Sequence, residues 1–253
     1  MAKIFDTHAH YTDEQFDTDR DSLLLGLKDK NVGFVVDCAT DYNTSIKSLE
    51  LANKYNFLYT AVGIHPCSVC DIADDELEKI KALIPNKKIV AIGEIGLDYH
   101  WDMPKDLQKK YFIEQLKLAN ELNMPVILHD REAHADLYEI LSQYKPKAVL
   151  HCYSGSAETA KELLKDDYYF GFGGVVTFKN ARKSVEAVKE IPMEKILLET
   201  DCPYLSPVPF RGTRCDSSLI HYTALTISEI KGINYDDVLQ ITTENAKRFY
   251  NIK

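Results

Sequence analysis

The stretch DTHAH at residues 6–10 stands directly behind a short apolar run and sets Asp6, His8 and His10 two apart. Alternate residues of a strand point the same way, so two imidazoles at this spacing can reach one cation. A polar loop that merely contains histidine would have no counterpart elsewhere in the chain. Counterparts exist: Glu94, His129, His151 and Asp201 each follow or close another apolar run. Taken singly, a histidine in such a place is more often a hydrogen-bonded loop residue. His134 and His221, in helix-like stretches, and His100, in DYHWD, are read that way. Chance does not spread four histidines, a glutamate and an aspartate over the ends of separate runs. Six such groups are too many for one tetrahedral ion. They suit two divalent ions ~3.5–4 Å apart that share a carboxylate. Glu94, near the middle of the chain order, is the expected bridge. His8, His10 and Asp201 would complete the ligands of one ion, and His129 and His151 those of the other. Imidazole favours Zn, Mn, Co or Ni, while Mg prefers oxygen ligands. The chemistry such a centre supports is hydrolysis by a two-metal-activated water, with Asp201 accepting the proton. Asp6 shares the parity of the histidines and is expected to orient an imidazole. Glu199 shares the parity of Asp201, as a supporting carboxylate or as a buried, hydrogen-bonded residue.

These groups need elements to carry them. Strand-like runs occur at 3–10, 33–40, 57–66, 88–98, 124–130, 147–155, 168–174 and 195–201. Stretches with a period near 3.6 alternate with them, among them TSIKSLELANKYN, DLQKKYFIEQLKLANELN and SAETAKELLKDD, the last with Ser156 as its N-cap. Strict alternation implies a parallel sheet with right-handed crossovers. Eight repeats fit an α/β architecture of the (β/α)8 TIM barrel type, for which ~250 residues is the usual length. The runner-up, a doubly wound open sheet, would want a Gly-rich dinucleotide turn after an early strand, and none is present. No linker or low-complexity tract interrupts residues 1–253, so one domain is expected. All C-terminal strand ends of such a barrel face one mouth, where the six groups would converge.

Composition narrows the function. A net charge of −9 weighs against a protein that coats nucleic acid through a broad basic surface. It can still grip a few phosphates with local charges and metals. No apolar run approaches the ~20 residues of a membrane span, and MAKIFDTHAH has no signal region. A cytoplasmic protein without membrane contact is expected. The six cysteines, at 38, 67, 70, 152, 202 and 215, are scattered and point to no disulfide framework. Cys67 and Cys70 form a lone CxxC, read as two small thiols.

The whole chain resembles the TatD-like deoxyribonucleases, in the amidohydrolase-type superfamily of metal-dependent hydrolases. DTHAH, VGIHP (62–66), IGEIGLDYH (92–100), ILHDREA (127–133), LHCYSG (150–155), LLETDCPYL (197–205) and TTENAKRFYNI match its successive motifs in order. The resemblance implies a metal-dependent phosphodiesterase acting on DNA, on short single-stranded ends, with no protein partner inferred. It implies the same ligands, His8, His10, Glu94, His129, His151 and Asp201. It further places His65, Arg131, Tyr153, Ser154 and Arg211 near the substrate phosphate. Glu94 stands where relatives in the superfamily use a carboxylated lysine, so that modification is not expected. One loop departs from the pattern: RGTRCDSS (211–218) has Cys215 for the usual Asn and Ser217 for the usual Pro, which bears on substrate range. The alternative keeps the metals and changes the substrate to a carboxylic ester or amide, as in a D-aminoacyl-tRNA deacylase. A metal-stabilised binding module is a weaker reading, since stability alone needs no open dinuclear site.

Overall fold

The computed structural model describes residues 3–253. Among them the strands are β1 Ile4–Ala9, β2 Val32–Cys38, β3 Leu58–Val62, β4 Ile89–Asp98, β5 Val126–Arg131, β6 Ala148–Leu150, β7 Tyr169–Phe172 and β8 Ile196–Leu198. The helices are α1 Arg20–Gly26, α2 Tyr42–Lys54, α3 Glu76–Leu83, α4 Lys105–Leu122, α5 His134–Tyr144, α6 Ala157–Leu163, α7 Arg182–Glu190, α8 Ile220–Lys231 and α9 Tyr235–Tyr250. The eight strands lie in one sheet in chain order, and a parallel bridge between Ala9 and Cys202 links β1 to the segment past β8. This is the (β/α)8 barrel that strand–helix alternation implies. Strand residues are buried almost without a break, β4 along its entire length, as expected when both faces of a parallel sheet are covered. Ser156 caps α6 by accepting from the Thr159 amide at 3.1 Å.

Several strands stop earlier than the apolar runs suggest. β3 ends at Val62, β6 at Leu150 and β8 at Leu198. His65, His151 and Asp201 therefore sit on loops past the strands, where the backbone is free to turn. Asp201 adopts a left-handed conformation, φ 65°, which a strand cannot contain.

Contacts divide the chain into two compact units, one running up to Asp37 and resuming at Cys152–Lys253, the other Cys38–His151. In the first, β1 pairs with β2 and β7 with β8. The amides of Thr200 and Asp201 both point at the His8 carbonyl, at 3.4 and 3.0 Å. In the second, β3, β4, β5 and β6 pair in sequence over a core of Val62, Ile64, Val69, Ile80 and Ile89. Gly96 faces His129 in the β4–β5 ladder with φ 146°. A side chain there would run into the His129 carbonyl, so the register that presents His129 requires glycine.

Candidate metal centre

The first unit brings His8, His10 and Asp201 together, as DTHAH and the strand-end reading anticipate. Their donor atoms stand close: His8 Nε2 to His10 Nε2 is 3.0 Å, and Asp201 Oδ1 lies 3.3 Å from His10 Nε2 and 3.7 Å from His8 Nε2. His8 is fully buried, while Asp201 keeps 19% of its side chain exposed. Beneath them Asp6 is fully buried, and burial lifts its carboxyl to about 7 against the pull of its donors. It accepts from Ser217 Oγ and Thr200 Oγ1, both at 2.7 Å, and from the amides of Thr200 and His8 at 3.1 and 3.2 Å. This corrects the parity argument. Asp6 holds the His8 amide and the 200–202 segment in place, so it positions His8 through the backbone and not through the ring. Glu199 fills space that Gly171 leaves open and accepts from the Cys152 amide at 2.5 Å. It lies 1% exposed, and its carboxylate also comes within 4.8 Å of a His8 ring nitrogen, so the structure fits both readings of Glu199.

The second unit holds a second triplet. Glu94 Oε1 is 2.7 Å from His129 Nδ1 and 2.8 Å from His151 Nε2, and those two nitrogens are 3.4 Å apart. The far side of the His129 ring meets another carboxylate: Nε2 donates to Asp98 Oδ2 at 3.0 Å. Burial opposes charge on His129, yet the bonds to Asp98 and Glu94 outweigh it and lift its pKa to about 10. With Nε2–H committed to Asp98, Nδ1 is the atom that faces Glu94 and His151, and it would coordinate an ion by giving up its own proton. Asp98 was not anticipated from the sequence. Parity could have found it, because Glu94, Gly96 and Asp98 alternate along GEIGLD.

His65 belongs to the same neighbourhood but plays a different part. Its Nδ1 accepts the Cys67 amide at 3.1 Å, which leaves the proton on Nε2, 3.7 Å from Glu94 Oε1. An imidazole in that tautomer offers an N–H and not a lone pair. It therefore stands beside Glu94 and His129 as a hydrogen-bond donor. The Cys67 thiol points at Asp98 Oδ2, 3.8 Å away. Burial and the neighbouring carboxylates push it up to about 12, so the CxxC thiol is unreactive. No disulfide joins the described cysteines.

The remaining anticipated contacts diverge. Arg131 is exposed, with its guanidinium 5.7 Å from the Trp101 ring centre. Arg211 is exposed over Phe178 at 4.4 Å, and Ser154 is exposed. Tyr153 is buried against Phe170 and Phe172, and its hydroxyl donates to the Ser156 carbonyl at 2.8 Å. Of the histidines set aside, His134 bonds Asp130 at 2.6 Å, His221 bonds Tyr235 at 2.8 Å and His100 bonds Glu132 at 3.0 Å.

The donor sets fit divalent ions. Ligand atoms ~2.1 Å from a metal stand roughly 3.0–3.4 Å apart, and each triplet spans that range with nitrogen and carboxylate oxygen. Each could hold an ion and leave coordination positions over for water or substrate.

Fold and donor sets together define the class, a metal-dependent hydrolase on a (β/α)8 barrel. The model of the TatD related DNase family matches residues 5–251. The uncharacterised metal-dependent hydrolase YabD of Bacillus subtilis is 46% identical over 98% of this chain and 99% of its own. YcfH of Escherichia coli K12, described in the same words, is 33% identical over 98% and 96%. The crystal structure of YjjV, a TatD homologue from the same organism, superposes with a TM-score of 0.93 at 31% identity, over 99% of this chain and 98% of that one. The chain belongs to the TatD-related DNase family. No helix of the described residues is long and apolar enough to cross a membrane.

Proposed function

We propose that this protein is a cytoplasmic deoxyribonuclease that hydrolyses phosphodiester bonds at single-stranded DNA ends, with one divalent ion on each donor triplet. The premise that both triplets serve one reaction is the general rule that strand C-terminal ends of such a barrel share one mouth. The observation that carries the phosphodiester reading is the His65 tautomer: a fixed N–H beside a three-donor metal site suits a non-bridging phosphate oxygen. When bound, the ions supply a water of lowered pKa and neutralise charge on the phosphate.

The chain's own residues do the rest. His8, His10, Glu94, His129 and His151 hold and orient the ions. Asp201, partly exposed, accepts the proton of the attacking water as its oxygen forms the new P–O bond. His65 Nε2–H and the exposed Arg131 donate to the phosphate, and the family resemblance assigns the exposed Ser154 and Arg211 to the substrate as well. The ester oxygen leaves with the electron pair of the broken P–O bond and takes up a proton. The buried Tyr153 shapes the loop through Ser156.

The test pairs elemental analysis of reconstituted protein with turnover of a 3′-labelled single-stranded oligonucleotide and, in parallel, of an aminoacyl ester. About two equivalents of metal and metal-dependent release of nucleotides are expected. Turnover of the ester alone would replace this reading with the carboxylic one, and only trace metal would remove both.

A further inference from the structure

The chain has a single tryptophan, Trp101, and it is 56% exposed. Large aromatic rings are normally drawn largely into a core, and an exposed indole offers a flat apolar face on which another ring can stack. The segment that carries the ring is held in place. The Tyr99 amide donates to the Arg131 carbonyl at 2.9 Å, His100 N–H to Asp98 Oδ1 at 3.0 Å and Met103 N–H to the Trp101 carbonyl at 2.8 Å. Asp98 in turn faces Arg131 in the β4–β5 ladder. The Arg131 guanidinium lies 5.7 Å from the indole centre, and the His100 ring meets the indole edge-on at 5.0 Å and 82°. Its chain neighbours His100 and Asp102, like Arg131 and Glu132 across the ladder, are polar and exposed. A protein-docking surface would continue the apolar character over several residues. One exposed ring rimmed by charge suits a ligand with one flat apolar face and a polar edge.

Position supplies the rest. Arg131 lies two residues past His129 on the same strand, so the side chain proposed above to donate to the phosphate also lies against the indole. A phosphate and a flat heterocycle joined at short range describe a nucleotide. We propose that Trp101, backed by Arg131, is a stacking platform for a nucleobase of single-stranded DNA next to the phosphate held at the Glu94–His129–His151 site. This specificity element rests on the nuclease reading above. Stacking is tolerant of base identity, so the platform binds single-stranded ends with little sequence preference. A duplex keeps its bases stacked on one another and cannot use it.

A lone tryptophan makes the test direct. Metal-loaded protein is titrated with a phosphorothioate thymidine tetramer, and separately with its base-free counterpart on the same backbone, while tryptophan emission is read. The thymidine tetramer should change the emission and bind more tightly than the base-free one by roughly 5- to 150-fold, the scale of one base–aromatic stack. In Trp101→Ala that ratio of dissociation constants should fall towards one, and in Trp101→Phe it should be largely restored. The exposed position lets both variants fold, which thermal unfolding checks. Unchanged emission with wild-type protein that turns DNA over would overturn the platform, as would a ratio preserved in Trp101→Ala. Changed emission in a protein that does not turn DNA over would leave the platform standing and remove the nuclease reading instead.

Discussion

Replacing Asp98 tests the ligand atom of His129 without touching a ligand. Asp98 accepts His129 Nε2–H at 3.0 Å and is 2% exposed. Burial raises its pKa, but the bond to His129 overrides burial and holds the carboxyl below its ordinary value. A hydrogen bond to a charged partner contributes ~1.5–3 kcal/mol, which at ~1.4 kcal/mol per decade is about 10- to 100-fold in affinity. Loss of such an outer carboxylate weakens metal binding on the same scale. Asp98→Asn keeps an acceptor but loses the charge, so its affinity should fall about tenfold. Asp98→Ala loses both and should fall about a hundredfold, and it also strips the His100 amide of its partner. The assay is competition with a coloured chelator, with both sites resolved and folding followed by circular dichroism. Full affinity at both sites in a folded Asp98→Ala protein would refute coordination through Nδ1. Complete loss of one equivalent would refute it differently, by making Asp98 itself a ligand.

Asp201→Asn should leave at least one ion bound while turnover drops by a factor on the order of a hundred or more; metal content and rate measured on one sample decide this. Ser217→Ala removes a buried donor to Asp6 and the hydroxyl partner of Tyr11. It should cost about 1–3 kcal/mol, read as a lower melting temperature at unchanged metal content. Asp19 is held below the usual carboxylate range by its hydrogen bonds to Arg214. Its contribution to stability is therefore full above the ordinary carboxylate pKa and is lost as pH falls through the lowered value. In Arg214→Ala, carboxyl-carbon NMR should show Asp19 titrating at higher pH.

What the sequence made legible follows from what strands impose. Apolar runs singled out the six candidate donors, but parity applies only to those that lie on strands: His8 on β1, Glu94 on β4 and His129 on β5. His8 and His10 lie together as the i, i+2 spacing requires. The same rule failed for Asp201 and Glu199. The strand stops at Leu198 and the chain turns left-handed at Asp201, so Asp201 joins the histidines while Glu199 turns to the Cys152 amide. Tautomers were out of reach altogether. That His65 offers an N–H depends on one backbone amide, and that His129 turns Nδ1 to Glu94 depends on Asp98. Neither leaves a periodic trace. The departure at Ser217 looked like a change in a rim loop. It is instead a fully buried side chain tied to Asp6 and Tyr11, far from any role in choosing substrate by direct contact.

The two triplets also differ in when a chain emerging from the ribosome can possess them. Glu94, His129 and His151 lie within one continuous unit, and that segment is available while the last two-fifths of the chain is still being made. His8 and His10 come out among the first residues, yet their partner Asp201 arrives only after β8, when its amide closes on the His8 carbonyl. At ~5–20 residues per second, seconds separate the two moments. The residues of the middle triplet are therefore complete first, and the other gains its carboxylate only once the chain ends have met. A fragment that stops short of Asp201 would carry all the residues of the middle triplet and lack one member of the other.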